Sequence, residues 1–305
     1  MKEYDSLVIG GGPAGITAAL YLLRSGLSVA FAEMLSPGGQ LLMTEEIENY
    51  PGFPKGIKGY ELTDLFAAHL EGYSYDRYSD AVKEVVYAPG ANKVRIGDEW
   101  VLAKTVIICT GAKYKKLGLP NEERLIGRGI SYCALCDGNF FRGQEVGVVG
   151  GGNSALEEAL YLSRLVKKLH LIHRRDDFRA TKCVQDKVCT MPDINIIRSS
   201  VVTAIHGEEN LTGVTVKNLK TGEERLLTLD GLFIFVGYEP IKDFYPEGLT
   251  TDASGFIVTD TEMATCLPGV FAAGDCRSKN CRQVTTAVGD GATAANSAFH
   301  YLEKH

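Results

Sequence analysis

Apolar and polar positions along this chain follow two different periods, and its elements lie where one gives way to the other. Near the amino end, the apolar run in DSLVI predicts a buried strand, GGGPAG a turn, and ITAALYLL a helix with one apolar stripe. LSVAFAE then predicts a second strand ending at Glu33. The same order returns in EVGVV, GGGNSA, LEEALYLSRL and KKLHLIH. Between the two copies, WVLAKTVIICTGA is an apolar strand running into Thr110, Gly111 and Ala112, with a proline shortly beyond. LTLDGLFIFVGYEP repeats strand, glycine and proline after the second copy. These two breaks bracket an insertion, so 1–113 with 239–305 is expected to form one domain and 114–238 another. Beyond the second break, GVFAAGD predicts a short strand ending at Asp275, followed by a helix rich in small residues. Strands alternating with helices imply an α/β fold with parallel sheets wrapped by helices, and the glycine-rich turn in each copy makes the two domains Rossmann-like and dinucleotide-binding.

The two turns carry the chemistry. Gly10, Gly12 and Gly15 occupy the first: one permits the tight turn, one lets backbone approach a pyrophosphate, and one lets helix and strand pack closely. Gly150, Gly152 and Ala155 take the same positions in the second. Each helix amino terminus would then face phosphates. Glu33 lies 18 residues after Gly15, and the residue 18 after Ala155 is His173. A carboxylate at that strand end accepts hydrogen bonds from a ribose 2′-hydroxyl and repels a 2′-phosphate, whereas guanidinium groups hold one. Arg174, Arg175 and Arg179 follow His173. The first turn is therefore expected to take the adenosine of FAD or NAD and the second NADP. An arginine run of this kind otherwise reads as a solvated basic face. Asp275 is placed for a phosphate or ribitol group, although aspartate beside glycine is also ordinary turn chemistry.

The formal charge of −6, without a long basic run, argues against nucleic-acid binding. No apolar run reaches the roughly 18 to 20 residues of a membrane span. The start lacks the basic end, apolar core and cleavage site of a secretory signal, so a cytoplasmic location is expected. Eight cysteines in a reducing compartment are a poor disulfide framework, which leaves Cys133 and Cys136, spaced CxxC, to be read as redox or metal chemistry. Zinc would need two more thiolates, and neither Cys183 with Cys189 nor Cys276 with Cys281 has the usual two-residue spacing, so no metal is expected. Cys109 and His69 are expected in the core, Cys276 and Cys281 as two small packed thiols, and His305 as a tail.

Taken together, GGGPAG, PGGQL (Pro37 to Leu41), ENYPGF (Glu48 to Phe53), CALCDG (Cys133 to Gly138), GGGNSALEEA, HRRDDFRA and AAGD with the later RQ resemble the low-molecular-weight bacterial thioredoxin reductases, essentially from end to end. The resemblance implies an NADPH domain inserted into an FAD domain. It implies FAD against Gly10, Gly12, Ala14, Gly15, Glu33, Gly38, Gly39, Gln40 and Asn49, with Asp275, Arg282 and Gln283 completing that site. NADPH would lie on Gly150, Gly152 and Ala155, its 2′-phosphate on His173, Arg174, Arg175 and Arg179. Hydride would pass from NADPH to FAD, the Cys133–Cys136 disulfide would open, and thioredoxin would be reduced. The resemblance further implies that Cys136 faces the flavin, that Cys133 attacks thioredoxin, that Asp137 handles protons, and that the enzyme is a homodimer. Dithiol and nicotinamide cannot both occupy the flavin face, so rotation is expected at the strand exits near Ala112 and Gly237 to Pro240. Asn153 departs from the aspartate common in the family. Rival readings are a flavin dithiol oxidase, a ferredoxin-dependent reductase of the same fold, and a redox or nucleotide sensor without turnover.

Overall fold

The computed structural model describes residues 1–44 and 46–305, and the chain divides into two compact units, 1–113 with 239–305 and 114–238. In chain order the first stretch holds β1 (Lys2–Ile9), α1 (Pro13–Arg24), β2 (Val29–Ala32), α2 (Gly59–Ala68), β3 (Asp76–Tyr78), β4 (Val82–Val86), β5 (Asn92–Ile96) and β6 (Glu99–Ile108). The chain crosses on β7 (Ala112–Tyr114). The second unit holds β8 (Ile130–Ser131), α3 (Ala134–Asp137), β9 (Glu145–Gly150), α4 (Asn153–Leu162), β10 (Lys168–Ile172), α5 (Lys182–Thr190) and β11 (Ile194–Ile197), then β12 (Ser200–His206), β13 (Gly213–Asn218), β14 (Glu224–Thr228) and β15 (Gly231–Phe235). It returns on β16 (Tyr238–Pro240), which pairs with β7, and ends with β17 (Val270–Ala272) and α6 (Val284–Lys304).

The first unit is built on the order β3-β2-β1-β6-β5-β4. Strands β3, β2, β1 and β6 run parallel. β6 has two neighbours on its other edge in succession: its first half pairs antiparallel with β5, and its last three residues pair parallel with β17. The β4–β5–β6 meander departs from the all-parallel expectation. Its second turn closes at Gly97, whose φ of +56° suits a tight hairpin, so no crossover helix is needed. Helix α1 exists because its apolar positions form one stripe: Ala14, Ile16, Ala18, Ala19, Leu22 and Leu23 are buried. Against that stripe lies α6, and it comes close because both faces are small. A Cβ on Gly291 would sit 2.2 Å from the Ala14 carbonyl oxygen.

The second unit repeats the plan in the order β11-β10-β9-β15-β8, every pairing parallel, and adds the antiparallel sheet β12-β13-β14. One core packs α4 and α5 against the sheet through Leu156, Leu162, Val188 and Phe233, and another fills the opposite face with Ile130, Ile172, Val214 and Leu232.

Three expectations change. The strand expected to reach Asp275 stops at Ala272, because Gly274 at φ +78° turns the chain into a short 3-10 segment, Gly274–Cys276. His69 is exposed: α2 stops at Ala68, the last turn tightens through bonds from His69 N to Phe66 O and Leu70 N to Ala67 O, and Leu70 takes the inward place. Cys276 is buried as a packed thiol, with its sulfur against the carbonyls of Ile108 and Ala273, but Cys281 is exposed in the segment leading to α6. Cys109 is buried and His305 is exposed.

Candidate active site

At the first turn, Gly10 has φ +103° and a Cβ there would lie 2.5 Å from the Cys109 carbonyl oxygen. A Cβ on Gly15 would lie 1.8 Å from the Gly10 oxygen. Around Gly12 the space is open, and no side chain caps α1 there, so the first amides of the helix are left for a ligand. Glu33 leaves β2 and folds back: one carboxylate oxygen accepts from Gly11 N at 2.6 Å and the other from Leu35 N at 2.9 Å. Each oxygen keeps a lone pair for a further donor. The PGGQ segment closes over the turn, with Gly38 N donating to Gly11 O at 2.7 Å, a Cβ on Gly39 falling 3.4 Å from Gly12, and the Gln40 amide donating to Ala112 O. Asn49 donates to the Gln283 side chain at 3.0 Å, joining residues distant in sequence.

Among the buried polar atoms of this unit without hydrogen-bond partners are Asp275 Oδ1 and Thr110 Oγ1. Burial pushes the Asp275 carboxyl up, opposed by Lys279 and Arg282. Lys279 Nζ stands 3.9 Å from Asp275 and 2.9 Å from Asp290, and Arg277 pairs with Asp290 at 3.0 Å. Arg282 donates to the carbonyls of Asp275, Arg277 and Lys279 and lies 4.2 Å over the Phe256 ring, so it also fastens its own loop. Arg277, Lys279 and Asp290 were not singled out from sequence, and Thr110 was named only at the end of a strand leaving the domain. The four-residue spacing of Asp275 and Lys279 could have suggested that pair, but Asp290 comes from α6 and gave no local cue.

At the second turn, Gly150 meets Ala155 and Phe235 closely, Gly152 is open, and α4 also lacks a side-chain cap. His173 is buried against Gly151, where a Cβ would fall 2.1 Å from the ring. Its ring lies 5.1 Å from that of Phe178 at a tilt of 34°, and Nε2 lies 3.1 Å from Asp177 O. Burial pushes its pKa down, so His173 shapes the turn as a neutral ring. Arg174, Arg175 and Arg179 are exposed at the same strand end. Arg198, 5.3 Å over Phe178, is a further guanidinium there that the motif did not include. Asn153 accepts from Thr181 N at 2.7 Å and so ties α4 to the start of α5.

Cys133 and Cys136 form a disulfide across α3. Cys133 is the N-cap of that turn, its sulfur accepting from Cys136 N at 3.2 Å. Both cysteines and Asp137 are half-buried, while Leu135 and Phe140 beside them are exposed. Asp137 N donates to Cys133 O at 3.1 Å, and the Asp137 carboxylate accepts from Ser131 Oγ at 2.6 Å. Tyr132 anchors the strand before the dithiol: its hydroxyl donates to buried Glu122 at 2.7 Å and its ring stacks on Tyr114 at 5.0 Å. No group of three or more His, Cys, Asp or Glu that could hold a metal ion occurs among the described residues.

The family model described as "Pyridine nucleotide-disulphide oxidoreductase" matches residues 4–291. A curated thioredoxin reductase of Bacillus subtilis (strain 168) is 44% identical over 305 residues, covering 99% of this chain and 96% of that protein. The solved thioredoxin reductase of Streptococcus pyogenes MGAS5005 superposes with a TM-score of 0.93 at 46% identity, covering 99% of each chain. That of Giardia duodenalis also gives 0.93, at 35% identity, covering 99% of this chain and 100% of its own.

Proposed function

This chain belongs to the thioredoxin reductases within the pyridine nucleotide-disulphide oxidoreductases, and from that premise we propose that its two turns and its dithiol act in series on FAD, NADPH and thioredoxin. The net reaction takes NADPH, a proton and the disulfide of thioredoxin to NADP⁺ and the dithiol. The Cys133–Cys136 disulfide is the observation that carries the reading, because it puts a two-electron acceptor of the substrate's own chemical kind beside an acid.

The residues of the first unit fit FAD: an uncapped helix terminus suits a pyrophosphate, Glu33 retains acceptor capacity for a ribose, and the Asp275 oxygen without a hydrogen-bond partner suits a polyol hydroxyl. When bound, FAD supplies the link between hydride chemistry and dithiol chemistry. In the second unit, Gly150, Gly152 and Ala155 leave the space for the NADPH pyrophosphate, and Arg174, Arg175 and Arg179 hold the 2′-phosphate while His173 shapes the turn. Cys133 attacks thioredoxin, Cys136 serves the flavin side, and Asp137 handles the proton. The crossing segments β7 and β16 absorb the rotation that alternates the two partners. A homodimer working in the cytoplasm is the assembly and place that the family resemblance supports. Among the described residues no helix is long and apolar enough to cross a membrane.

The test is steady-state NADPH oxidation by the FAD-loaded protein with and without thioredoxin. Oxidation that depends on thioredoxin, with one dithiol formed per NADPH, is expected. Equal oxidation without thioredoxin, at the expense of oxygen, would make the protein an oxidase instead. The order of the cysteines is checked by trapping. A thioredoxin left with only its attacked cysteine, activated there as a mixed disulfide with an aromatic thiol that serves as the leaving group, should form a stable mixed disulfide with Cys136→Ser and not with Cys133→Ser.

A further inference from the structure

Ser131 is the last residue of β8, its backbone in register with Phe233 of β15, and it is only 4% exposed. Its hydroxyl stands between the two ends of the dithiol turn. Oγ lies 2.6 Å from Asp137 Oδ2, 3.1 Å from Cys133 N and 3.2 Å from Cys133 O. A hydroxyl has one hydrogen. The short contact to a carboxylate takes it, and the Cys133 amide donates to the oxygen lone pair. With the bond from Asp137 N to Cys133 O, the three residues close a ring of hydrogen bonds that includes the acid and the first cysteine but neither sulfur.

We propose that Ser131 is a positioning residue of the dithiol step, a rigid post of the sheet whose hydroxyl aims the Asp137 carboxylate and favours its ionised form. The proposal rests on the reading of Asp137 as the proton-handling group. Opening the disulfide breaks the S–S bond, places two electrons from NADPH on the two sulfurs, and takes up one proton to leave a thiol and a thiolate. A carboxylate waiting to exchange that proton must be neither free to rotate away nor already protonated. A buried donor held by strand backbone meets both needs, because a hydrogen bond to the ionised form favours that form. Its burial leaves little water to replace the bond if the hydroxyl is removed.

Other titratable groups on the packed elements are Glu157, Glu158 and Tyr161 of α4, Tyr132 after β8, and Arg142 in the next turn. Tyr132 is bound to Glu122 and Arg142 to Asn139, and Glu157 is exposed. The Tyr161 ring is 3.2 Å from where a Gly138 side chain would begin. Glu158, pushed up to about 7 chiefly by burial, titrates in the working range and needs its own control.

The experiment is the pH dependence of kcat/KM for thioredoxin with the holoenzyme. Ser131→Ala is expected to move the acidic limb upward by about one pH unit. Ser131→Thr, which keeps the hydroxyl, should restore it, and Ser131→Val, which has the shape of threonine without the hydroxyl, should not. If Ser131→Ala fails to fold, the threonine and valine pair decides the matter alone. A limb unchanged in the hydroxyl-free variants but abolished in Asp137→Asn overturns the role of Ser131. A limb that survives in Asp137→Asn overturns the reading of Asp137 itself. A limb that moves only with Glu158→Gln assigns the titration to α4 and likewise overturns the proposal.

Discussion

The two glycine-rich turns share a plan, and three of the matched positions at which they differ bear on the site. Where the first has Gly15, Ala18 and Glu33, the second has Ala155, Glu158 and His173 at the same offsets. Gly15 is fixed by contact, since a methyl group there would meet the Gly10 carbonyl at 1.8 Å, whereas the methyl of Ala155 is fully buried and accommodated. Ala18 is buried in an apolar stripe, whereas Glu158 keeps one oxygen buried without a hydrogen-bond partner. Glu33 is held by two backbone amides, whereas His173 is folded into its turn and the charge is carried by arginines beyond it. The backbone of the turn is common to both units while the strand ends differ, and under the proposed function it is the residues at those strand ends that decide which dinucleotide each turn takes. The remaining differences record what each helix packs against.

Exchanging the third turn residue breaks the comparison most severely. Gly15→Ala is expected to cost about 3 kcal/mol through overpacking and to lose FAD, whereas Ala155→Gly should cost about 1 kcal/mol. Denaturant melts with flavin retention check both. A Gly15→Ala protein as stable and as yellow as the parent would defeat the idea.

Removing the charge from the second strand end comes next. Arg174→Ala with Arg179→Ala should raise the KM for NADPH by roughly tenfold to a hundredfold, because two exposed charge-assisted bonds to a phosphate are lost. The NADH reaction should hardly change. Proportional loss with both coenzymes would show that the arginines do not read the 2′-phosphate.

Glu158 gives the smallest effect and the sharpest sign. Its folded carboxyl is raised to about 7 from an ordinary 4.5, so its contribution to stability is intact below about pH 4.5 and is lost as pH rises through 7. Glu158→Gln should match the parent near pH 4 and exceed it by about 1 to 2 kcal/mol at pH 8.5. Thermal melts across that range measure the gap, and a gap independent of pH would contradict it.

Much of the site was legible because its signals are local. A turn, its following helix and an acid or base at fixed offset all lie within one strand–helix–strand unit, and the two cysteines lie within one turn. Other parts depend on partners that sequence does not bring together. Asp290 meets Lys279 only because α6 starts where it does, and Ser131 meets Asp137 only because β8 ends at the dithiol. The carboxylate of Glu122 is buried because the amides of Leu117, Gly118 and Leu119 wrap around it, which nothing in its charge announces. The β4–β5–β6 meander and the β12–β13–β14 sheet escaped because short hairpins carry weaker patterns than a glycine-rich turn between strand and helix. His69, expected in the core, is exposed because α2 ends at Ala68 and Leu70 takes the inward place.

The forked edge of β6 governs when the molecule can be completed. Its last three residues wait for β17, and the apolar stripe of α1 waits for α6, both drawn from the far end of the chain. Every strand of the second unit lies between residues 114 and 238 and leaves the ribosome before either. During synthesis the unit that starts first therefore finishes last. Until α6 emerges, the face of α1 at Ala14 lacks its α6 neighbour, and the nascent chain is exposed to aggregation while residues 239 to 305 are being made.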